Sequence, residues 1–516
     1  MPESDLVQTG IKGFDEILSG GIPRGNVILV EGAIGCGKTT MGVEFIYRGA
    51  SQFGEPGIIV LFEVSPDKIV RDARGFGWDL RELERTERLR IVFTTREVLR
   101  QELQQADSVL LEEAAKIGAR RIFVDGIARL MPSNDAIETR SGFHVFTEGL
   151  QRENLTAFLA IEASSYTMGQ NGSLPEESIA DTVIRLRMEE NQRAVTRSLE
   201  IVKSRGQSYQ MGTHTFRIIE GQGLQVYRRV QAPRSSQRDR AAAYDPTTRI
   251  STGIPGLDEL TNGGYFLGST TVVAGISGVG KSVMGLQYIA EGARRGERSL
   301  MLSLDEQEEQ IIRNAASIGI DLCREIDRGM IRIEYEPPQE IEVDVHFHHI
   351  ERLVQEFKPR RVLIDSLSTY GSSLGAEGRI FRDFFHGLVA LMKEHQIAAV
   401  YNHENPEMLG MTSMMGGFAL SSLVDNIFLM NWIELNDTFR LGLTIAKMRA
   451  NAISRTTHEV EIQNGRGMQV LPRELRVPKE RHPFSAYAGL VSRAPERRRL
   501  GDRTETKDTW RDPSRS

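Results

Sequence analysis

The chain repeats itself, and this duplication limits its possible folds more than any other feature. The segment TGIKGFDEILSGGIPRG at residues 9–25 matches TGIPGLDELTNGGYFLG at residues 252–268. Later segments match in the same order, RIFVDGIARL with RVLIDSLSTY and LEIVKSRG with LTIAKMRA. Internal repeats must be recognised before a fold is assigned, because each copy forms one structural unit. The sequence therefore predicts two domains of the same fold in tandem.

Composition indicates where these two domains begin and end. Between the copies, QAPRSSQRDRAAAYDPTTR is polar and has no apolar periodicity, which is typical of a linker. The last part of the chain is rich in charge and proline and has little from which to build a core. We expect a first domain at residues 1–230, a linker at 231–249, a second domain at 250–475 and a disordered tail at 476–516.

Composition also narrows the class of protein. The first residues, MPESDLVQTG, lack the basic start and apolar stretch of a signal peptide, and no run approaches the roughly 18 apolar residues of a membrane span. Two cysteines, Cys36 and Cys323, are too few for a disulfide framework. The formal net charge of -6 gives no general attraction to nucleic acid. We therefore expect a cytoplasmic protein without membrane or nucleic-acid partners.

Each copy has the pattern of an α/β domain. GNVILVEG and STTVVAG are short β-rich runs, and the segments that follow, TTMGVEFIYRGASQ and SVMGLQYIAEGARR, have helical apolar spacing. RIFVDG and RVLIDS are continuous apolar runs that end in aspartate, as expected of buried strands in a parallel sheet. The predicted fold class is α/β, with a mostly parallel sheet flanked by helices in each copy.

Both copies contain the spacing of a phosphate-binding loop, VEGAIGCGKTT at residues 30–40 and AGISGVGKSVM at residues 274–284. Glycine allows the backbone to wrap around phosphate oxygens and to point its N–H groups inward. The lysine neutralises the outer phosphates, and the hydroxyl after it is offered to Mg²⁺. We therefore predict ATP and Mg²⁺ as ligands of both copies. The predicted nucleotide-binding residues are Gly32, Gly35, Gly37, Lys38, Thr39, Thr40 and Asp125 in the first copy, and Gly275, Gly278, Gly280, Lys281, Ser282 and Asp365 in the second, with Thr39 and Ser282 reaching the metal through the nucleotide.

Carboxylates follow the next strand of each copy. Alignment of the copies puts Glu63 opposite Asp305 and Val64 opposite Glu306. Phosphoryl transfer needs mainly positioning and charge neutralisation, so one carboxylate near the outer phosphate is a plausible base for water or a hydroxyl. Glu63, Asp305 and Glu306 are the predicted catalytic residues.

The duplication, the paired loops and the segments FGWDL, IGIDL, VKSRG and AKMRA together resemble the KaiC family of two-domain RecA-like ATPases and autokinases. The resemblance extends over residues 9–470. It implies two tandem RecA-like P-loop domains, a homohexameric ring with ATP between neighbouring subunits, and a signalling partner such as a KaiB-like protein. Members of the family usually have two adjacent glutamates where this chain has Glu63 with Val64, and Asp305 with Glu306.

The resemblance gives a role to two pairs of cations near the domain ends. Lys203 with Arg205, and Lys447 with Arg449, alternate along predicted strands, so both charges of a pair project to one face. We interpret them as residues that reach ATP held by the next subunit. A cation supplied across an interface stabilises the transferred phosphate and makes activity depend on assembly.

The resemblance also directs attention to GGFALSSLVDNIFLMNWIEL in the second copy. In KaiC-like proteins two hydroxyl residues, four and three positions before such an aspartate, are autophosphorylated. Ser421 and Ser422 stand at these positions before Asp425, and Glu177 stands opposite Ser421 in the first copy. The asymmetry favours hydrolysis in the first copy and kinase chemistry in the second.

Three functions remain open on the sequence. The first is a hexameric ATPase and serine autokinase that acts as a signalling or clock-type switch. The second is a RecA-like DNA recombinase or helicase-type motor, which would be expected to carry a basic DNA path or an appended DNA-binding domain, and neither is evident. The third is an ATP-gated scaffold, which would bind a partner without releasing phosphate. We expect the first.

Overall fold

The computed structural model describes residues 5–104, 109–127, 136–162, 175–191, 194–231, 247–374, 379–404, 420–435 and 438–475. Contacts divide the chain into two compact units. The first comprises Met1–Gln231 with Glu342–Arg352, and the second comprises Ala232–Ile341 with Leu353–Ser516. The predicted tail lies outside the described residues.

The first unit is built on a nine-stranded sheet in the order β11-β10-β9-β8-β3-β7-β6-β4-β5. The six strands from β8 to β5 are parallel, and β9, β10 and β11 extend the sheet as antiparallel strands. A two-stranded sheet of β1 and β2 precedes it. The strands are β1 (Leu6–Val7), β2 (Ile22–Pro23), β3 (Val27–Gly32), β4 (Gly57–Leu61), β5 (Leu89–Phe93), β6 (Arg121–Asp125), β7 (Thr156–Glu162), β8 (Thr182–Asn191), β9 (Ala194–Ser204), β10 (Thr213–Ile219) and β11 (Gly223–Tyr227).

The second unit repeats this sheet in the order β16-β15-β17-β18-β14-β19-β20-β21-β22. Its six parallel strands run from β16 to β19, and β20, β21 and β22 are the antiparallel extension. The strands are β12 (Arg249–Ile250), β13 (Tyr265–Phe266), β14 (Thr270–Gly275), β15 (Ser299–Ser303), β16 (Ile331–Tyr335), β17 (Arg361–Asp365), β18 (Ala398–Glu404), β19 (Asn426–Leu435), β20 (Thr438–Met448), β21 (Thr457–Gln463) and β22 (Gly467–Leu475).

Helices connect the parallel strands, as right-handed crossovers require. Short 3-10 turns lie at Pro175–Ser178 and Pro338–Glu340. The helices of the first repeat are α1 (Phe14–Ile17), α2 (Lys38–Gln52), α3 (Pro66–Arg74), α4 (Leu80–Arg85), α5 (Arg96–Gln104), α6 (Val109–Ile117) and α7 (Ala136–Arg152), and those that follow are α8 (Leu257–Leu260), α9 (Lys281–Arg294), α10 (Glu308–Ser317), α11 (Leu322–Asp327), α12 (Val343–Phe357), α13 (Leu367–Leu374), α14 (Arg379–Glu394) and α15 (Leu420–Leu423).

The central strands are buried along their whole length, which explains their continuous apolar sequences. Helices α2 and α9 approach the neighbouring strand very closely through a glycine. A Cβ at Gly42 would lie 2.1 Å from the ring of Phe123, and one at Gly285 would lie 2.7 Å from Leu363. This close packing fixes the start of each helix against the strand that ends in the predicted aspartate.

One fully buried arginine in each copy ties the first residues of the repeat to the sheet. Arg121 bonds to Glu55 at 2.6 Å and donates to the carbonyls of Gln8 and Phe45. Arg361 bonds to Glu297 at 2.6 Å in the same way. It also donates to the carbonyls of Ser251 and Tyr288. A buried guanidinium needs such a full set of acceptors, because an unpaired charge is costly in the interior.

Candidate functional site

The two glycine loops follow β3 and β14 and lead directly into α2 and α9. Gly37 and Gly280 precede these helices with φ of 111° and 88°, in the left-handed region that favours glycine. A side chain at either position would meet an isoleucine, Ile218 or Ile462, at 2.9 Å and 2.4 Å. The last glycine of each loop therefore has the left-handed conformation that a phosphate-binding loop uses, at a position where only glycine fits.

The loop lysines bond to the loop backbone. Nζ of Lys38 donates to the carbonyls of Gly32 and Ala33 at 2.7 and 2.8 Å. Nζ of Lys281 donates to those of Gly275 and Ile276 at 2.9 and 2.8 Å. Each lysine is thus held over its own loop, with neutral acceptors that a phosphate can replace.

The hydroxyl after each lysine bonds to the aspartate that ends the neighbouring strand. Thr39 donates to Asp125 at 2.9 Å, and Ser282 donates to Asp365 at 2.7 Å. The structure therefore brings together the predicted hydroxyl, lysine and aspartate in both copies. Thr40 is the next residue of α2 and is half-buried.

Burial changes the acidity of these groups. It raises the pKa of Asp125 and of Asp365, although the bonds from Thr39 and Ser282 oppose this rise. Burial likewise lowers the pKa of Lys281, against the attraction of Glu404 and Asp365. In both directions burial disfavours the charged form, and a bound ligand of opposite charge would restore it.

The residues present fit Mg²⁺ and ATP. Carboxylate and hydroxyl oxygens are the ligands that Mg²⁺ prefers, and Thr39 with Asp125, and Ser282 with Asp365, supply one of each. When bound, Mg²⁺ neutralises charge on the outer phosphates. In the second unit Ser282 and Asp365 line a cavity of about 500 Å³, together with Asp305 and Glu404.

The two candidate bases of the second unit have different surroundings. Asp305 accepts hydrogen bonds from Ser366 at 2.9 Å and Thr369 at 2.8 Å, beside Asp365. Glu306 accepts bonds from Asn314 of α10 at 3.1 and 3.3 Å. Both carboxylates line the cavity, but only Asp305 bonds to the residues that follow the strand-end aspartate. The geometry favours Asp305 as the base.

In the first unit, Glu63 is 75% exposed and bonds to Arg96 at 2.6 Å. Its negative charge contributes to the raised pKa of Asp125, after the larger effect of burial. Glu63 therefore lies within electrostatic range of the predicted Mg²⁺ site. Val64, at the position of Glu306, packs against the apolar core.

The lysines of the two pairs, Lys203 and Lys447, lie near the ends of β9 and β20, but Arg205 and Arg449 lie in the turns that follow, so the prediction that each pair alternates along a strand is wrong. Both pairs bond to the segment before the neighbouring strand, β8 or β19. Lys447 donates to the carbonyl of Val424 at 2.6 Å. Arg449 donates to the carbonyl of Ser422 at 2.7 Å and bonds to Asp425 at 3.2 Å. Ser421 and Ser422 lie in the short helix α15. The structure thus brings the second cation pair to the predicted acceptor segment.

The first unit has a related arrangement around Glu177, in which the arginine has the equivalent acceptor but the lysine bonds to a carbonyl three residues earlier in the segment. Lys203 donates to the carbonyl of Glu177 at 2.8 Å, and Arg205 donates to that of Ser178 at 2.9 Å. Burial, followed by the charge of the neighbouring arginine, lowers the pKa of Lys203 and of Lys447. The lysine and the arginine of each pair therefore repel each other, and a bound anion would relieve that repulsion.

The cations of the second domain lie at the opposite end of the parallel strands from the loop of the same domain. The backbone N–H of Asp425 bonds to the carbonyl of Thr270, the first residue of β14, whereas the loop follows Gly275, its last residue. The six residues of β14 separate its two ends by about 16 Å. The structure does not bring Lys447, Arg449 or the serine pair to their own domain's loop.

Sequence reasoning missed several residues of the site. Ser366 and Thr369 hold Asp305, Arg96 holds Glu63, and Glu404 lines the cavity of the second unit. One signal was present in the sequence. Both copies place a glutamate at the end of the strand beside the loop strand, Glu162 in register with Gly32 and Glu404 in register with Gly275.

The fold and the two loops define a tandem P-loop ATPase with RecA-like domains. The sequence profile described as the KaiC ATPase matches residues 7–231 and again residues 250–475. The chain belongs to the KaiC family. The family and the tandem RecA-like fold predicted from the sequence are both confirmed.

Several curated relatives are similar to the chain over nearly its whole length. The circadian clock oscillator protein KaiC of Thermostichus vulcanus is 29% identical over 514 residues, covering 98% of this chain and 94% of the relative. That of Prochlorococcus marinus is 30% identical over 504 residues, covering 95% of each. The circadian clock oscillator protein KaiC 1 of Synechocystis is 29% identical over 511 residues, covering 97% and 93%. None of the described helices is long and apolar enough to cross a membrane.

Proposed function

We propose that this KaiC-family ATPase is a homohexameric switch that hydrolyses ATP in its first domain, residues 1–230. Its second domain, residues 250–475, transfers phosphate to Ser421 and Ser422. One observation carries the proposal: the second domain has a serine pair where the first has a carboxylate already in an ion pair. Glu177 bonds to Arg185 at 3.2 Å, and no such fixed charge stands at Ser421.

The chain's own residues account for each part of the reaction. Lys281 exchanges its backbone acceptors for phosphate oxygens, and Ser282 with Asp365 would hold Mg²⁺, whose charge would offset that of the phosphates. Asp305 accepts the proton of the serine hydroxyl as the serine oxygen bonds to the γ-phosphorus and the bond to the β-phosphate oxygen breaks, releasing ADP. In the first domain Glu63 does the same for water.

The distance between the two ends of β14 supports phosphate transfer from one subunit to another. The serine segment bonds to the start of β14, about 16 Å from the loop at its end, too far for in-line attack in one domain. Lys447 and Arg449 are adjacent to the serines, so the cations and the acceptor would arrive together at a neighbour's ATP. Assembly of subunits, and binding of a KaiB-like protein, belong to the same proposal.

Mixing two inactive variants tests this directly. Lys281→Ala retains both serines but loses the loop lysine of the second domain, and Ser421→Ala with Ser422→Ala retains the loop but has no acceptor. We expect each alone to incorporate little phosphate from γ-labelled ATP. After subunit exchange in a mixture, we expect label at Ser421 and Ser422 of the Lys281→Ala chain, read by phosphopeptide mass spectrometry.

The control is the first-domain activity of the double-serine variant, which should equal that of the natural chain. Label in the natural chain but none in the mixture would show transfer within one chain. A natural chain that hydrolyses ATP without ever labelling either serine would remove the kinase proposal and leave an ATPase. ATP-dependent partner binding without phosphate release would instead identify a scaffold.

Both loops should bind Mg-ATP independently. We expect two nucleotides per natural chain, one in Lys38→Ala and one in Lys281→Ala, since each lysine neutralises the phosphates of its own loop. Equilibrium dialysis of labelled ATP measures this ratio. Two bound nucleotides in both variants would contradict the assignment of the loops.

A further inference from the structure

Arg96, the first residue of α5, links the ends of two neighbouring strands of the first unit. Its Nη2 bonds to Glu63 at 2.6 Å, just after β4, and its Nε donates to the carbonyl of Gly126 at 3.0 Å, just after β6. Its guanidinium also lies over the ring of Phe62, 5.1 Å from the centroid. Three contacts on separate groups fix the position of the guanidinium.

The second unit holds its base by a different device. Asp305 accepts bonds from the hydroxyls of Ser366 and Thr369 on the segment after Asp365. In the first unit the residue after the strand-end aspartate is Gly126, which has no hydroxyl to offer. Arg96 bonds to both Glu63 and the carbonyl of Gly126. It therefore joins the same two strand ends that hydroxyls join in the second unit.

We propose that Arg96 is the positioning residue of the first domain's hydrolysis site, holding the carboxylate of Glu63 toward the strand-end aspartate. This inference rests on the proposed role of Glu63 as base. Glu63 is 75% exposed, so without Arg96 its side chain would exchange among solvent-facing rotamers. A planar guanidinium with a fixed fork of donors bridges two acceptors, whereas an ammonium is a point charge.

The effect of Arg96 should be on turnover and not on nucleotide affinity. Within the described residues its hydrogen bonds and ring contact are with Glu63, Gly126 and Phe62, and none of these three belongs to the glycine loop. A misplaced base raises the barrier of the chemical step, while the loop that binds the phosphates is unchanged. A fraction of unfolded protein would also lower the apparent kcat at constant KM, so turnover is expressed per nucleotide-binding site.

The test uses the full chain carrying Lys281→Ala, so that turnover comes from the first domain. In this background Arg96→Gln should lower kcat for ATP about 10-fold and leave KM within about two-fold. Arg96→Lys should recover part of the loss, because it restores a positive charge but not the fork. Arg90→Gln is the matched control: Arg90, on the preceding strand, bonds to Glu113 at 2.9 Å and should not change either constant.

Binding of a fluorescent ATP analogue with the stoichiometry and the affinity of the parent checks that Arg96→Gln is folded. An unchanged kcat in Arg96→Gln would overturn the inference. A raised KM with unchanged kcat would overturn it too, since it would indicate direct contact with the nucleotide. Glu63→Gln separates the two proposals: full activity of Glu63→Gln rejects Glu63 as base, whereas an inactive Glu63→Gln with a fully active Arg96→Gln rejects only the role of Arg96.

Discussion

The two copies differ most at the segment before β8 and β19. In the first copy Arg185 bonds to Glu177 at 3.2 Å and to the buried Glu31 at 3.0 Å. The aligned positions in the second copy are Ser421, Leu429 and Ala274, a hydroxyl and two apolar residues. The first copy therefore has a permanent negative charge with its own cation, where the second has only a serine.

This difference shows how the same backbone segment can carry a permanent charge in one copy and a charge that depends on phosphorylation in the other. Phosphate on Ser421 or Ser422 would add about -1.5 to -2 charges. The second copy has Leu429 at the position of Arg185, which cannot pair with that charge. The cations that already bond to this segment are Lys393, Lys447 and Arg449. We infer that phosphate would compete for the cations that are proposed to reach the neighbour's ATP, whereas Glu177 leaves Lys203 and Arg205 undisturbed.

The largest expected effect tests what the copies share. Arg361→Leu leaves Glu297 and two carbonyls without their buried donor, so the second domain should lose about 3–5 kcal/mol of stability. Arg121→Leu should cost the first domain a similar amount. Hydrogen exchange by mass spectrometry, in peptides of β3 and β14, reports each domain separately.

The control for this pair is Arg294→Leu, which removes an exposed ion pair with Glu291 and should change stability far less than the loss of a buried arginine. Equal exchange in Arg361→Leu and Arg294→Leu would show that the buried arginine is not a structural tie. If only one of the two substitutions, Arg121→Leu or Arg361→Leu, destabilised its domain, the buried arginine would have different roles in the two copies.

The second prediction sharpens the choice of base in the second domain. Asp305→Asn should lower phosphate incorporation at the serines by about 100-fold or more, while hydrolysis in the first domain continues. Glu306→Gln should change incorporation less than about three-fold, because its carboxylate bonds to Asn314 and the amide can keep that contact. The reverse order of effects would assign the base to Glu306.

The sequence predicted the parts of the site that depend on local spacing. Loop lysines and hydroxyls stand at fixed positions between a strand and a helix, so Lys38 and Lys281 could be named from the chain alone. The choice between Asp305 and Glu306 could not, because it depends on which side chain faces the end of β17. Arg96 was also out of reach, since its two acceptors lie on either side of it in the chain, 33 and 30 residues away.

The smallest predicted effect concerns the loop helices α2 and α9, which differ in one buried acceptor. Glu44 accepts the N–H of Leu224 at 2.7 Å, and Gln287, its counterpart, accepts that of Met468 at 2.6 Å. Burial raises the pKa of Glu44 to about 7, against the bond from Leu224 and the charge of Arg48. The folded first domain therefore binds a proton more tightly than the unfolded chain does.

Stability of the first domain should consequently fall as pH rises from about 4.5 toward 7 and stay low above it, by at most about 3 kcal/mol. Glu44→Gln, which copies the second domain, should remove this dependence and stabilise the first domain at pH 8 by roughly 1 kcal/mol, because the lost ion pair with Arg48 offsets part of the gain. Gln287→Glu should introduce the same dependence into the second domain.

Hydrogen exchange in peptides of α2 and α9 at pH 5 and 8, corrected for the intrinsic exchange rate, measures both changes. An effect of Glu44→Gln that is equal at the two pH values would show that the carboxyl is ionised in the folded domain throughout, and that the difference between the copies at this position carries no proton.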